Sequence, residues 1–242
     1  MHKLYKYETH LHTSEVSRCA VNTGAEMARA YKQAGFTGIF VTDHFVNGNC
    51  AVPSDLSWEQ QMNLFVQGFE NARAEGEKIG LDVFFAWEYG NPPTGEDYLT
   101  YNLDKEFLLA HPHLCSLSFE EYSELVGKNG GLIIHAHPYR IASYITIPPN
   151  PRADLIDGVE VNNTVSDSVR DQNHLAWELA REHPHLIRTS GTDIHSTDGI
   201  GLGGMAFPYR IESSSHFVEA LRAGDGYLII DGEVTDMEGR PI

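Results

Sequence analysis

The sequence is poor in basic residues. Lys and Arg number 17 against 34 Asp and Glu in 242 residues, a formal net charge of −17 with histidine neutral. Duplex nucleic acid is held mainly by neutralising phosphates with Lys and Arg, and anionic membrane surfaces recruit the same residues. Neither is an expected partner. Cysteine is scarce too. Cys19, Cys50 and Cys115 are odd in number and lack a C-x-x-C spacing, so they make no disulfide framework and suit a reducing compartment. No run of 18 apolar residues is present to cross a bilayer as a helix, and residues 1–8 lack the apolar stretch of a signal peptide. A cytoplasmic location is the expectation. The P-loop, the G-x-S-x-G elbow and the H-E-x-x-H helix are missing. Gly199-Ile200-Gly201-Leu202-Gly203-Gly204 matches G-x-G-x-x-G, but it follows a polar loop, and Met205-Ala206-Phe207-Pro208 opens no helix. It reads as a loop rather than a dinucleotide site. Repeats, low-complexity tracts and Gly/Ser linkers are absent, and residues 1–242 read as one domain.

What is present begins with 41% hydrophobic residues, enough for an ordinary core, and 13 histidines. Short apolar runs alternate with helical patterns, the sign of an α/β fold. Strands are expected at 4–11, 38–42, 83–87, 98–103, 132–134, 158–161, 186–190 and 227–230. Helices are expected at 23–35, 57–79, 118–128, 168–182 and 214–223. Thr23 with Glu26, and Ser118 with Glu121, form capping boxes. Continuous apolar strands imply parallel pairing with both faces covered, as in a barrel or an open doubly wound sheet.

Ligand-type residues cluster at the ends of these strands. Alternation puts Glu8, His10 and His12 on one face, and imidazole is a preferred ligand for Zn, Mn or Fe. His111-Pro112-His113 and His183-Pro184-His185 repeat the His-x-His spacing but follow helical patterns, and are read as helix-end or loop residues. His10 and His12, Asp43-His44, Glu88, His135 and His137, and Asp193 with His195 each end a strand. In a parallel α/β barrel such ends face one mouth, where active sites lie. Histidine and carboxylate without Cys suit hard-to-borderline divalent ions, and such ions lower the pKa of bound water to roughly 7.

The ordered set His10-x-His12, Thr42-Asp43-His44, Glu88, Ala136-His137-Pro138 and Asp193-x-His195 resembles the polymerase-and-histidinol-phosphatase (PHP) family over residues 5–196. The resemblance implies a distorted TIM-like (β/α)7 barrel with a metal site at the C-terminal ends of its strands. It also implies two or three divalent metal ions (Zn, Mn or Fe) and hydrolysis of phosphate esters. Carried over motif by motif, His10, His12, Glu88 and Asp193 would hold one ion. Glu88 and His137 would hold a second, and His44 and His195 would serve a third or complete the second. Two family histidines have no counterpart: Arg18 stands in one slot, and residues 96–101 offer none for the other. His135 is a candidate replacement ligand.

Arg18 and Arg140 are the expected phosphate clamp, since guanidinium matches phosphate oxygens in a bidentate way. Asp193 or His195 is the expected proton donor to the leaving group. Segments 45–57, 90–97, 138–157 and 196–209 are the expected lids. The expected activity is hydrolysis of a small phosphorylated substrate. A metal-dependent amidohydrolase acting on a C–N bond, or a non-catalytic metal-binding relative, are the rivals.

Overall fold

A computed structural model of the chain describes residues 3–91, 94–145 and 147–242. The chain runs β1 (Tyr5–Glu8), α1 (Gly24–Gln33), β2 (Gly38–Val41), α2 (Trp58–Phe65), α3 (Gln67–Ile79), β3 (Asp82–Asn91), β4 (Glu96–Tyr101), α4 (Lys105–Ala110) and α5 (Phe119–Lys128). It continues with β5 (Leu132–Ala136), β6 (Gly158–Asn163), α6 (Asp167–Arg170), α7 (Asn173–Glu182), β7 (Ile187–Gly191), β8 (Gly203–Phe207), α8 (Ser214–Ala223), β9 (Tyr227–Ile230) and β10 (Glu233–Thr235).

Local chemistry sets the helix starts. Thr23 and Ser118 cap α1 and α5 through the expected boxes, and Ser57 with Gln60 caps α2 in the same way. The helix expected over 57–79 is two helices. Val66, at φ −83° and ψ 0°, breaks it and redirects the chain. Beyond the break, Gly68 backs onto Thr13: a Cβ there would lie 1.9 Å from Thr13 Oγ1. A Cβ on Gly24 would likewise sit 2.2 Å from the Gly68 carbonyl, so α1 and α3 cross on glycine. The helix expected over 168–182 is also split, into α6 and α7.

The strands form one sheet in the order β10-β9-β8-β1-β2-β3-β4-β5-β6-β7. Pairing is parallel through β1-β2-β3 and β5-β6-β7, while β4 is antiparallel to both neighbours. The sheet curls until, at its mouth, the segment after β1 meets the segment after β7. There Leu11 bridges Ile194, with His12 N donating to the Ile194 carbonyl at 3.0 Å. This is the distorted TIM-like barrel expected, with two corrections. One of its seven strands runs backwards. An antiparallel meander, β8-β9-β10, extends the sheet from β1. Part of the supposed lid 196–209 is strand β8, which nestles against β7. A Cβ on Gly203 would meet the Gly191 carbonyl at 2.5 Å, so only glycine permits that approach. No helix follows the G-x-G-x-x-G stretch, as the sequence implied.

Alternation along β2 divides the core. Ile39 and Val41 pack with Met27, Tyr31 and Ala72 of the α1–α3 layer. Phe40 turns the other way, 4.3 Å from Phe217 of α8 and 5.4 Å from Tyr101 (ring centroids). This aromatic packing fills the interior and leaves the polar strand ends on top. Among the described residues, no helix is long and apolar enough to cross a membrane.

Candidate metal centre

His10 and His12 converge on one point, though not by strand alternation. Strand β1 stops at Glu8, and the chain bends. The buried Glu8 carboxylate accepts from the amides of Thr9, His10 and Thr192 at 2.9–3.0 Å, and from Tyr31 Oη at 2.6 Å. Glu8 thus braces the turn instead of joining the histidines.

Around that point imidazoles and carboxylates crowd together. His10 Nε2 lies 3.3 Å from Glu88 Oε1 and 3.4 Å from Asp193 Oδ1. His12 Nε2 is 3.0 Å from Asp193 Oδ1, and His44 Nδ1 is 2.5 Å from Glu88 Oε2. His137 Nε2 is 3.2 Å from Glu88 Oε1 and 3.6 Å from Asp193 Oδ2. Three groups of donor atoms lie close enough to hold ions: His10–His12–Asp193, His10–Glu88–His137, and His12–His44–His195. All seven residues expected as ligands from the sequence are therefore brought together.

The centre fits cations. His10 Nε2, His12 Nε2, Glu88 Oε2 and both Asp193 oxygens are buried without a hydrogen-bond partner. Each such atom costs about 1–3 kcal/mol unless something satisfies it. Imidazole nitrogens with carboxylate oxygens suit Zn, Mn or Fe. Electrostatics agree. Burial alone would lower the His10 pKa, yet Asp193, Glu160 and Glu88 hold it well above normal. Burial opposes ionisation of Asp193 and Glu88, yet the surrounding imidazoles hold both carboxylates well below their usual range. Asp193 stays ionised, which suits a ligand and not the proton donor the sequence left open. Backbone strain marks the same place: His137 (φ 30°) and Asp193 (φ 54°) both carry positive φ, a conformation that persists only where its surroundings enforce it.

A surrounding shell fixes which nitrogen faces inward. His10 Nδ1 donates to Glu160 Oε1 at 3.1 Å. His12 Nδ1 meets Ser17 Oγ at 3.1 Å, and Ser17 Oγ donates to Asp43 Oδ1 at 2.7 Å. His195 Nδ1 donates to the Asp193 carbonyl at 2.7 Å. Each bond leaves Nε2 with its lone pair free, as a metal ligand needs. Glu160 and Ser17 were not singled out in the sequence. The visible sign for Glu160 was one carboxylate inside the apolar run Gly158-Val159-Glu160-Val161. A β-bulge between Glu160 and Asn162 re-aims it here.

The centre opens into a cavity of about 870 Å³, lined by His44, His195, Cys19, Asp97, Arg140, Tyr144 and residues of the expected lids 45–57 and 90–97. Val165, from the loop after β6, is an unforeseen wall; residues 196–209 contribute none. Arg140 reaches the centre, with Nη1 3.4 Å from His137 Nε2 and Nη2 4.0 Å from Asp193 Oδ2. Arg18 does not line the cavity; its Nε donates to the Cys50 carbonyl at 2.7 Å. Asp97 was also unforeseen: burial and the nearby Glu88 push its pKa up to about 7. His135 is not a ligand in these groups. The turn at His137 separates the two rings, and His135 packs at a tilt against Tyr98, with centroids 4.5 Å apart and neither nitrogen partnered. His111 and His183 end helices, as expected.

No family model and no curated protein matches this sequence. Solved structures do. A two-domain protein from Bacteroides vulgatus, described as containing a predicted PHP-like metal-dependent phosphoesterase, aligns over 96% of this chain and 66% of its own. The TM-score is 0.70 and the identity 14%. A lesion-specific endonuclease from Pyrococcus furiosus aligns over 91% of this chain and 56% of its own (TM-score 0.62, 14% identity). An amidohydrolase from Chromobacterium violaceum with bound sulfate and no metal aligns over 80% and 88% (TM-score 0.52, 14% identity). The chain thus shares its fold with PHP-like proteins and spans just under two thirds of the first.

Proposed function

We propose that the protein is a metal-dependent phosphoesterase of the PHP kind, acting on a small phosphorylated metabolite. The observation that carries this reading is the set of five unpartnered buried donor atoms, with one guanidinium beside them on a cavity wall. His10, His12, Glu88 and Asp193 would hold one ion, with Glu88 shared with His137 for a second. Bound divalent ions supply a lowered pKa for water and charge neutralisation at phosphoryl oxygens. Arg140 orients the phosphoryl group from the wall, with the planar fork that phosphate geometry matches. Phosphoryl transfer asks chiefly for such positioning and charge stabilisation.

A small substrate, rather than a polynucleotide, agrees with the net charge of −17 and with a cavity of about 870 Å³. An extended strand needs a basic groove with stacking aromatics. A C–N hydrolase is the second reading, supported by the fold likeness to an amidohydrolase. Arg140 favours the phosphate ester.

The test is a panel of phosphomonoesters, phosphodiesters, amides and lactones, assayed after chelation and reloading with Mn or Zn. Hydrolysis of phosphate esters, lost in folded His10→Ala and Asp193→Ala proteins, is expected. Turnover of amides alone, or full activity in either variant, overturns the proposal.

A further inference from the structure

The cavity that opens from the centre carries little charge of its own. Its wall holds a single guanidinium, Arg140. That fork is committed to the centre, with Nη1 3.4 Å from His137 Nε2 and Nη2 4.0 Å from Asp193 Oδ2. It is also balanced, because Asp97 Oδ2 lies 3.8 Å from Nη1. Among the described residues, no Lys and no second Arg lines the cavity. Arg18, the other candidate, is drawn to the Cys50 carbonyl. His44 and His195 add no charge when they ligate, since a ligating imidazole is neutral.

Neutral groups make up much of the remaining wall. Asn47 knits two of the lids together: its Nδ2 donates to the Gly90 carbonyl at 2.7 Å, and its Oδ1 accepts from Gly90 N at 3.3 Å. Asn49, just beyond that joint in the chain, is exposed and lines the same cavity. Tyr144, just beyond Arg140 in the chain, also lines the cavity and keeps 61% of its surface exposed. The wall therefore offers an uncovered aromatic ring and a carboxamide, and little that would hold a second anion.

Resting on the phosphoesterase reading above, we propose that the substrate carries a single phosphate on an uncharged leaving group with a flat ring, and that this ring lies on Tyr144. The phosphoryl group at the centre takes up the guanidinium of Arg140. A second phosphate, at about −1.5 to −2 in charge, would give up water against a wall with no free cation, in a chain of net charge −17. An anion desolvated without a partner is strongly disfavoured. A neutral ring meets no such cost. Aromatic faces stack on flat rings with little regard to substituents, and the Asn49 carboxamide can both donate to and accept from polar groups at the ring edge.

Kinetics of the full, metal-loaded chain on phenyl phosphate, hydroquinone bisphosphate and glycerol phosphate test this. The first two differ by the second phosphate, and the last has no ring. The second phosphate is expected to lower kcat/KM by about tenfold or more, the worth of a charge left without a partner. Asn49→Lys, which puts a cation on the wall at an exposed position, should recover most of that loss. Tyr144→Ala should raise KM for phenyl phosphate by about tenfold and leave glycerol phosphate within about twofold. Tyr144→Phe keeps the ring and should keep the wild-type KM, which separates stacking from damage to the fold. A bisphosphate hydrolysed as well as phenyl phosphate, or an equal rise in KM for both monoesters in Tyr144→Ala, overturns the substrate assignment and leaves the phosphoesterase reading standing. Hydrolysis of none of the three also overturns the assignment, and the wider ester panel above then decides whether the phosphoesterase reading falls with it.

Discussion

Glu160 accepts from His10 Nδ1 at 3.1 Å through one carboxylate oxygen and from the His137 backbone amide at 3.1 Å through the other. One side chain thereby sets the tautomer of a ligand in the bend after β1 and the turn that carries a ligand after β5. Carboxylates that orient metal-bound histidines are typically worth 10–100-fold in metal affinity. Glu160→Gln is expected to weaken binding by about that factor while circular dichroism stays unchanged. Competition against a chromophoric chelator measures it; unaltered affinity would remove Glu160 from the site.

Metal should stabilise the fold, because it satisfies atoms that otherwise lie buried and unpaired. At 100 times its dissociation constant, an ion adds about 2.7 kcal/mol. For a chain of this size that corresponds to roughly 2–4 °C per kcal/mol in Tm. A thermal melt of chelated protein with and without Zn or Mn reads the shift directly. No shift with either would count against a metal centre built from the orphaned donors.

Gly68→Ala should damage the centre from outside. The added Cβ would lie 1.9 Å from Thr13 Oγ1 and 2.7 Å from Asp43 Oδ2, and Asp43 braces Ser17 under His12. Overpacking of this kind costs about 1–3 kcal/mol. Gly127→Ala is the contrast: a Cβ there meets nothing within 4 Å, and removing a helical glycine gains about 0.5–1 kcal/mol. Urea melts of the two variants should move in opposite directions.

His135→Phe should be neutral or stabilising by about 1 kcal/mol. It removes two buried nitrogens that have no partner and keeps an aromatic ring on Tyr98. Bound metal per chain, measured by elemental analysis, should not change. Loss of an ion would show that His135 is a ligand after all.

Arg140→Ala is expected to lower kcat/KM for a phosphate ester by roughly 10–100-fold, the worth of a hydrogen bond to a charged group at about 1.5–3 kcal/mol. Arg18→Ala should leave it within about twofold, because Arg18 does not line the cavity and surface changes rarely exceed about 0.5 kcal/mol. Equal losses in both variants would mean the cavity wall is misassigned.

The ligands themselves were legible because they recur at one structural position. His10, His12, His44, Glu88, His137, Asp193 and His195 all follow an apolar run in the sequence, and that repetition survives errors in any single strand boundary. The reasons offered for their convergence held less well. His10 and His12 meet through a bend braced by Glu8, and His137 enters by a turn at φ 30°, so period-two alternation applied to neither pair. Arg18 and Arg140 looked equivalent in sequence, since both follow a strand end by a few residues. Only the pairing of residue 17 with residue 50 turned one outward.

Composition and the spacing of apolar runs determined an α/β chain with few basic residues and a band of metal-ligand chemistry on its strand ends. These are local properties, readable because burial and ligand identity attach to residue type. Tertiary structure decided the reversed β4, the added meander, and the shell of Glu160, Ser17 and Asp43. Each of these depends on contacts between residues far apart in the chain, such as the 150-residue separation of His10 and Glu160. Local propensity carries no record of a partner that distant; packing and hydrogen-bond satisfaction select it.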